Sequence, residues 1–346
     1  MSTEGVEVVA LDVTDDQQFA AYHSVVVEAD GEGHDYPAPW ALHELKVMHT
    51  RPNRIERLES AVAVRDGEVL GAVDVFSPLL DNLHTAFVFV HVPQRNARQG
   101  IGGLLADHSL ELVRADGRRS VNAMLTAAKI GPDGSRDRSI DTGSAFAARY
   151  GLTERLVNVQ RVADLPVDGS MLQRLVDEAA NKHRDYEIVA WVGPCPDDYV
   201  DSYCTLRSIL ITEAPMGDLD IEDEAWDEER LREEEEEMAA MERVPSTVAA
   251  VAHDGSLVAH TQVVVPMHEP GVVHQWDTLV LPDHRGHRLG LALKARNLVW
   301  LADHHPERTW ITTWNAESNQ AMVAVNDALG FRPVELTAEW QGDVES

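Results

Sequence analysis

The sequence predicts an α/β (α+β) protein with two tandem domains of one design, each a mixed, mostly antiparallel twisted sheet flanked by helices. The first observation is a strand that turns into a helix through a short glycine- and arginine-bearing loop, at 279–298, with a looser copy at 87–102. The second is length, because 346 residues suffice for two domains that each bury a core. The third is the order of strand-like and helix-like segments, which repeats in the two halves.

The first half is predicted to follow the order β, α, α, β, β, β, α, β, α, β. Apolar alternation favours strands at 6–11, 61–64, 69–76, 83–92, 121–125 and 153–162. Helical spacing favours helices at 15–28, 40–49 and 101–114, and a further helix closed by glycine at 144–152. Asp66 and Gly67 are typical of a tight turn between two hairpin strands.

The second half repeats this order. Strands are predicted at 187–192, 248–253, 257–265, 272–281 and 309–314. Asp197 and Asp198 supply a helix start, and a helix at 319–331 ends at a glycine. A connecting helix is expected at 170–182. We therefore predict an N-terminal domain at 1–165, a linker at 166–185 and a C-terminal domain at 186–346.

Each loop is suited to hold an anion, because free N–H groups at a helix start point outward together and the helix dipole adds partial positive charge. Glycine lets the anion approach the main chain closely. In the second loop, positive side chains cluster where phosphates would lie: Arg285, Arg288, Lys294 and Arg296. The alternative is that these are solvated residues of an ordinary helix start.

The second loop resembles the acyl-CoA loop of the GCN5-related N-acetyltransferase (GNAT) superfamily, in which Arg or Gln is followed by two residues, Gly, one residue, and Gly or Ala. Arg285 and Gly290 fill the first and last places, and Arg288 stands where the middle glycine is usual. Downstream, the family's Asn, Ala and Tyr places hold Asn319, Met322 and Asn326, and its Gly-Phe pair is present at 330–331. The resemblance spans about 256–340, and mycothiol synthase has the same tandem layout.

The resemblance implies acetyl-CoA as cosubstrate. It implies cofactor contacts from one strand, its loop and one later helix: Leu279, Val280, Leu281, Arg285, Gly286, His287, Arg288, Leu289, Gly290, Leu291, Asn319 and Met322. Asparagine also suits a helix N-cap, so Asn319 has a structural alternative. Two cysteines, Cys195 and Cys204, have no second pair to complete a zinc site, and no metal is expected.

The first half matches the family less well. Its glycines fit, but Ala97 occupies the leading place of the loop, and Ala147 stands where the acid tyrosine would be. A second cofactor site is a candidate here, formed by Arg98, Gln99, Gly100, Ile101 and Gly102. We interpret this half as degenerate and the C-terminal domain as catalytic.

Catalysis in the second half would follow the family's direct transfer. The backbone N–H of Val280 or Leu281 would stabilise the thioester oxyanion. Asp277 is the first candidate for the base that deprotonates the amine, with His274 as the second; an ordinary polar strand end is the alternative for Asp277. Asn326 cannot act as an acid, but it can hydrogen-bond the sulfur.

Charge limits the partners. The net charge of −30 repels nucleic acid and anionic membranes. The chain has no apolar run long enough for a membrane span and no recognisable signal peptide, so a cytoplasmic protein, monomeric or homodimeric, is expected. The acidic segment 217–243 is either a solvated face or a lid that attracts a cationic acceptor.

Tryptophans concentrate in the second half. Four of them could line an acceptor pocket, with core packing as the alternative: Trp226, Trp276, Trp314 and Trp340. The function expected from these features is transfer of an acetyl group from acetyl-CoA to a primary amine of a small molecule. The alternative is a non-catalytic acyl-CoA-binding or partner-binding protein on a duplicated GNAT fold, suggested by Asn326, Arg288 and the decayed first half.

Overall fold

The computed structural model describes residues 3–344. Its first half contains seven strands: β1 (Glu7–Ala10), β2 (Glu56–Arg65), β3 (Glu68–Pro78), β4 (Thr85–His91), β5 (Ser120–Ile130), β6 (Arg136–Asp137) and β7 (Thr153–Asp164). Its helices are α1 (Asp16–Gly31), α2 (Leu42–Thr50), α3 (Ile101–Ala115) and α4 (Ser144–Arg149).

The second half begins with the connecting helix α5 (Gly169–Ala180). Its strands are β8 (Glu187–Val192), β9 (Arg243–Val251), β10 (Leu257–Pro266), β11 (Val272–Val280), β12 (Trp310–Ala316) and β13 (Arg332–Asp343). Its further helices are α6 (Val200–Ser208), α7 (Leu210–Glu213), α8 (Glu228–Ala240), α9 (Leu289–His304) and α10 (Gln320–Ala328). Short 3-10 turns precede α3 and α9, at Gln94–Asn96 and Pro282–His284.

The strands form one sheet in the order β1-β2-β3-β4-β5-β13-β7-β12-β11-β10-β9-β8, with β6 paired to β5. Neighbours are antiparallel except β4 with β5 and β11 with β12, which are parallel. The two halves of the sheet have the same strand order from the edge to the middle: β1 to β5 on one side correspond to β8 to β12 on the other. The predicted fold, a mostly antiparallel mixed sheet flanked by helices and built twice, is confirmed.

The last strand of each half pairs across the middle of this sheet. β13 lies between β5 and β7, so the C-terminal strand completes the N-terminal sheet. β7 in turn pairs with β12, from Trp310 opposite Asp164 to Ala316 opposite Asn158. The sheet is therefore continuous across the predicted linker, and the division into domains at 165 and 186 stays a prediction.

Helices pack on both faces of the sheet in each half. In the second half, Leu279 packs with Tyr203 and Leu206 of α6, whereas Val280 packs with Leu289 of α9. Strand alternation explains this split, because successive side chains point to opposite faces. The end of β11 is thus held between α6 and α9.

Most predicted elements are present, with ends shifted by a few residues. The hairpin turns at Asp66–Gly67 and Asp254–Gly255 lie between β2 and β3 and between β9 and β10. β6, α7 and β13 were not among the predicted elements.

Both cysteines are buried free thiols, and burial raises the pKa of Cys195 to about 12 and of Cys204 to about 11. Among the described helices, none combines the length and apolar character needed to cross a bilayer.

Candidate active site

The two parallel strands of the second half separate part-way along their length. β11 pairs with β12 from Val272 to His274, opposite Trp310 to Thr312. β12 then continues alongside β7, while β11 continues alongside β10 to Val280. One edge of β11 therefore faces an opening between the strands, and the backbone groups on that edge are not paired with β12.

The direction of the amides at the end of β11 distinguishes the two oxyanion candidates. The N–H of Leu281 donates to the carbonyl of Val258 at 3.0 Å, and the N–H of His284 donates to the carbonyl of Leu281 at 2.9 Å. Because N–H directions alternate along a strand, the N–H of Val280 points away from β10, toward the opening. Of the two, Val280 has the geometry expected of the oxyanion donor, and Leu281 has both backbone groups engaged.

The loop after β11 has the backbone of a helix start with two left-handed residues. Gly286 has φ +85°, and Arg288, the N-cap of α9, has φ 56° and ψ 23°. In the first loop Arg98 has φ 60° and Gly100, the N-cap of α3, has φ 88°. The two loops therefore share one backbone conformation, with glycine and arginine in opposite order at the two left-handed positions. Arg288 adopts the left-handed conformation that is usual for glycine, at a cost of about 1 kcal/mol.

The two arginines of the loop are held by glutamates. Arg285 contacts the Glu213 carboxylate at 2.5 Å and donates from Nε to the carbonyl of Val280 at 3.2 Å. Arg288 lies 3.2 Å from the carboxylate of Glu178. Both arginine side chains are about half exposed, and exposed ion pairs of this kind exchange partners at little free-energy cost.

The predicted placement of Lys294 among the phosphate-binding cations is wrong. Lys294 is 1% exposed, and its Nζ donates to Oδ1 of Asn326 at 2.6 Å. Burial lowers the pKa of Lys294 to about 7. The lysine points inward because it follows Leu291 by three residues and precedes Leu298 by four, on the buried side of α9.

The prediction that Asn326 meets the thioester sulfur is not supported by its contacts. Asn326 is buried, its Oδ1 accepts from Lys294, and its Nδ2 donates to Oδ1 of Asn315 at 3.1 Å. Its amide is therefore engaged on both sides. This chain of three polar side chains lies beside the opening, because Asn315 is on β12 three residues beyond the last pair with β11.

Asp277 lies on the α6 face of β11 within a charged cluster. Its carboxylate is 3.5 Å from Nε of Arg207, which makes two hydrogen bonds of 2.9 Å to Glu234. The Arg207 guanidinium also stacks over the Trp226 ring at 3.8 Å. Burial raises the pKa of Asp277, Arg207 opposes this shift, and Glu234 and Glu224 add to it. A raised pKa makes this carboxylate a better proton acceptor near neutral pH.

His274 has poor properties for the second candidate base. Burial lowers its pKa to about 3, with Arg243 contributing. An imidazole with this pKa binds a proton too weakly to act at neutral pH. His274 also lies in the paired part of β11, opposite Thr312, before the opening begins.

Two buried side chains near Asp277 were not predicted from the sequence. His260 is fully buried, both of its ring nitrogens lack a partner in the described structure, and its ring contacts Tyr203 edge-on at 5.2 Å. The Tyr203 hydroxyl also lacks a described partner, and burial raises its pKa. Neither residue carried a sequence signal, because a histidine in a strand and a tyrosine in an amphipathic helix are ordinary core residues.

Asn319 caps α10, as its structural alternative predicted. Its Oδ1 accepts the N–H of Met322 at 3.1 Å. The Met322 sulfur lies 3.9 Å from Nζ of Lys294. Both residues are at the start of the helix that faces α9 across the opening, and their contact with a cofactor stays a prediction.

In the first half, side chains of the chain itself lie against the corresponding loop. A Cβ added at Gly100 would lie 2.7 Å from Thr3, and one at Gly102 would lie 3.7 Å from the Phe146 ring. The Tyr150 hydroxyl donates to the carbonyl of Gly103 at 3.2 Å. At Gly290, which is equivalent to Gly102, an added Cβ would lie 3.8 Å from Val280, and one at Gly286 would meet nothing within 4 Å. The candidate site at 98–102 therefore has Thr3, Phe146 and Tyr150 as its neighbours, and its contact with a cofactor stays a prediction.

The acidic segment is packed against the first half rather than fully solvated. In α8, Glu233 accepts from Arg51 at 2.7 Å, and Arg230 pairs with Asp81. Upstream, the N–H of Glu222 donates to Asn82 at 2.7 Å. The solvated-face interpretation is wrong for Arg230 and Glu233, whereas the side chains of Glu228, Glu229 and Glu236 are exposed. The segment spans the two halves.

The tryptophans do not form one pocket. Trp226 lies between the guanidinium groups of Arg207 and Arg230. Trp340 packs in the core of the first half, because β13 crosses into that sheet. Trp314 is 41% exposed at the end of β12. Trp276 has the Arg243 guanidinium 5.9 Å from its ring, so of the four predicted tryptophans it is Trp226 that contacts the Arg207 partner of Asp277.

Comparison with known proteins gives a consistent result. Residues 209–331 match the acetyltransferase (GNAT) family. No curated protein matches the chain. Among solved structures, a tandem GNAT protein from the clavulanic acid biosynthesis pathway is similar, with a TM-score of 0.78 and 27% identity over 99% of both chains.

Two further structures share the fold. A GCN5-related N-acetyltransferase from Sphaerobacter thermophilus has a TM-score of 0.63 and 13% identity, covering 99% of this chain and 97% of its own. A glucosamine N-acetyltransferase region of a fungal multi-domain β-N-acetylglucosaminidase has a TM-score of 0.63 and 12% identity. That match covers 97% of this chain and 38% of the fungal protein.

Proposed function

The second half of this chain carries a domain of the acetyltransferase (GNAT) family, and on that premise we propose that it moves an acetyl group from acetyl-CoA to a primary amine of a small molecule. The observation that carries the proposal is the opening between β11 and β12. The start of α9 lies at its mouth, the Val280 N–H faces into it, and Asp277 lies on the same strand. These are the parts that direct transfer from a thioester to an amine requires.

The loop fits the pyrophosphate of coenzyme A. The amides of Leu289, Gly290 and Leu291 belong to the first turn of α9, where backbone N–H groups lack helical partners. Space around Gly286 leaves room for an anion to approach. Arg285 and Arg288 would exchange their glutamate partners for phosphate oxygens, a charge-assisted contact that arginine makes well.

Residues of β11 then position the reaction. When bound, acetyl-CoA supplies the acetyl group as a thioester. The Val280 N–H donates to the carbonyl oxygen as the amine nitrogen attacks the carbonyl carbon. Asp277 takes the proton that the ammonium loses, directly or through water. The new C–N bond forms as the C–S bond breaks, and the sulfur leaves as a thiolate, which is tolerable because a thiol has a pKa of ~8.5.

The charge around Asp277 favours a cationic acceptor. Four carboxylates, those of Asp277, Glu234, Glu224 and Asp81, share two guanidinium groups, those of Arg207 and Arg230. The surrounding chain is strongly acidic, with a net charge of −30. An ammonium ion is therefore attracted to the position where it must be deprotonated.

Calorimetric titration with acetyl-CoA tests the cofactor part of the proposal. We expect one site per chain, with affinity about tenfold weaker in Arg285→Ala because one charge-assisted phosphate contact is lost. Arg98→Ala is the matched change in the first half, and it should leave the affinity unchanged. Loss of binding in Arg98→Ala, with full affinity in Arg285→Ala, would move the site to the first half.

Transfer to amines tests the chemistry. With a panel of small cationic and neutral amines, Asp277→Asn should reduce turnover by about 10²–10⁴-fold while acetyl-CoA binding persists. Glu224→Gln, which removes one carboxylate near Asp277 and keeps α8 in place, should weaken cationic acceptors more than neutral ones. Unchanged turnover in Asp277→Asn would remove this residue as the base.

A second candidate is a protein that binds acyl-CoA or a partner without turnover. It is favoured by the engagement of the Asn326 side chain with Lys294 and Asn315, which leaves that amide with no free group to meet the thioester sulfur. This candidate predicts acetyl-CoA binding with no transfer to any amine in the panel.

A further inference from the structure

Three metal-ligating side chains from both halves of the chain meet at one point outside the site described above. They are His43 on α2, Glu242 in the turn between α8 and β9, and His268 in the turn between β10 and β11. One ligand atom of each lies within 4.8 Å of those of the other two. The two imidazole rings have centroids 4.4 Å apart, and Nε2 of His268 lies 3.4 Å from the Glu242 carboxylate.

Neighbouring residues fix these three segments against one another. Glu44, next to His43, forms a fully buried ion pair of 2.6 Å with Arg243, next to Glu242. The N–H of Met267, next to His268, donates to the carbonyl of Glu242 at 3.2 Å. The segments are therefore held in place by contacts that do not use the three candidate ligands, as a preformed site requires.

The turn that carries His268 has a further anchor. The Arg308 guanidinium is buried and donates to the carbonyl of Glu269 and to the sulfur of Met267 at 3.7 Å. Residues on both sides of His268 are thus fixed by one side chain.

The tautomer of His43 suits a ligand. Its Nε2 lies 3.0 Å from the carbonyl oxygen of Ala240. A carbonyl only accepts, so Nε2 carries the hydrogen, and Nδ1 of the neutral ring keeps a lone pair. Histidines that bind metals commonly donate their other N–H to a backbone carbonyl in this way.

Glu242 occupies a backbone conformation that disfavours its residue type. Its φ is +55°, in the left-handed region, where glycine is the usual residue and side chains are strained. Glu242 directly follows Met241, the C-cap of α8, and a left-handed residue is common at that position of a helix. At Glu242 the strained residue supplies the carboxylate of the cluster.

We propose that His43, Glu242 and His268 bind a Zn²⁺ ion, with water completing the coordination. Two imidazoles and one carboxylate form a ligand set typical of zinc, whereas Mg²⁺ and Ca²⁺ prefer oxygen ligands alone. The ion joins α2 of the first half to two turns of the second half. Because it binds the folded state, it stabilises that state, independently of the proposed acetyl transfer.

The test uses the full-length protein after removal of metals with a chelator. Calorimetric titration with ZnCl₂ should show one tight site per chain, and thermal unfolding should shift to higher temperature with Zn²⁺ but not with the same concentration of Mg²⁺. His43→Ala and His268→Ala should each weaken the site by about tenfold or more and remove the shift. His253→Ala, an exposed histidine outside the cluster, is the matched control, which the total of 16 histidines makes necessary.

The variant Glu242→Gly distinguishes a loss of zinc binding from a loss of folding stability. Glu242→Gly should unfold at a higher temperature than the wild type without metal, because the left-handed strain is relieved, and it should lose the zinc-dependent shift. The proposal is overturned if wild type binds no Zn²⁺ at micromolar concentration. It is equally overturned if His43→Ala and His268→Ala bind and respond to Zn²⁺ as the His253→Ala control does.

Discussion

Lys294 is the residue whose environment differs most from what its chemistry prefers. Its ammonium group is buried with one strong hydrogen-bond acceptor, Asn326, and with the Phe331 ring at 5.2 Å. Burial lowers its pKa from 10.5 to about 7, whereas the unfolded chain keeps the ordinary value. Each unit of that difference corresponds to about 1.4 kcal/mol of folding free energy.

Lys294 should therefore make the free energy of unfolding depend on pH. Above pH 10.5 the lysine is neutral in both states and has no effect; as pH falls toward 7 the unfolded state binds the proton first, and stability is lost. Lys294→Met should remove this slope between pH 7 and 10.5. Urea unfolding of both proteins at several pH values measures it, and equal slopes in the two proteins would contradict the assigned pKa.

The positions of some single side chains in the site could be predicted from the sequence, and those of others could not. Asp277 lies on the same face of β11 as Leu279, as alternation along the strand predicts, and its role as the base stays a prediction. The inward orientation of Lys294 was also readable, since Leu291, Lys294 and Leu298 follow helical spacing, but its charge favoured a surface position. Tyr203 could not be found because its proximity to Asp277 depends on how α6 packs on the sheet, and His260 because its proximity depends on the register between β10 and β11.

Among the elements, α8 has the most unusual role. It is a helix of the second half whose glutamates bind arginines of the first half, at Arg51 and Arg54. Arg51 and its partner Glu233 have side-chain exposures of 19% and 10%, whereas Arg54 and Glu229 are each 66% exposed. Solvent screens the second pair more strongly, so the two arginines should differ in their effect on stability.

Arg51→Ala should lower the free energy of unfolding by about 1–2 kcal/mol, because it leaves Glu233 partly buried without its closest partner. Arg54→Ala, the matched change on the exposed pair, should lower it by less than about 0.5 kcal/mol. Denaturant titration at low and high salt measures both effects. A larger effect for Arg54 would show that burial does not govern the attachment of α8.

Element positions followed from sequence more readily than strand partners did. The hairpins, the strands before the loops and α3 and α9 were predicted because their signals are local: alternation, helical spacing and turn glycines. β13 was missed, and its partner β5 lies on the other side of the predicted domain boundary. No local pattern encodes a pairing between segments so far apart in the chain.

For the whole molecule, the exchange of last strands predicts cooperative behaviour. β13 completes the sheet of the first half, and β7 pairs with β12 of the second half. Removing residues 332–346 would leave the edges of β5 and β7 unpaired in the middle of the sheet, which destabilises both halves and exposes strand edges to aggregation.

Unfolding of the intact chain should therefore be one transition by calorimetry, with signals from both halves changing together. The fragments 1–165 and 166–346, expressed separately, should be insoluble or unfolded, and mixing them should recover folded material. Two well-separated transitions in the intact chain, or two fragments that fold alone, would contradict this expectation.

The pairing of strands across the two halves also constrains how the gene can diverge during evolution. In the described structure Phe146 and Tyr150 pack against the loop of the first half, which has Ala97 in the place of the family's leading Arg or Gln. Its strand β7 nevertheless lies beside β12, one wall of the opening in the second half. Loss of the first half would remove that wall, so a lineage retaining activity in the second half must also inherit the first, however far its loop diverges.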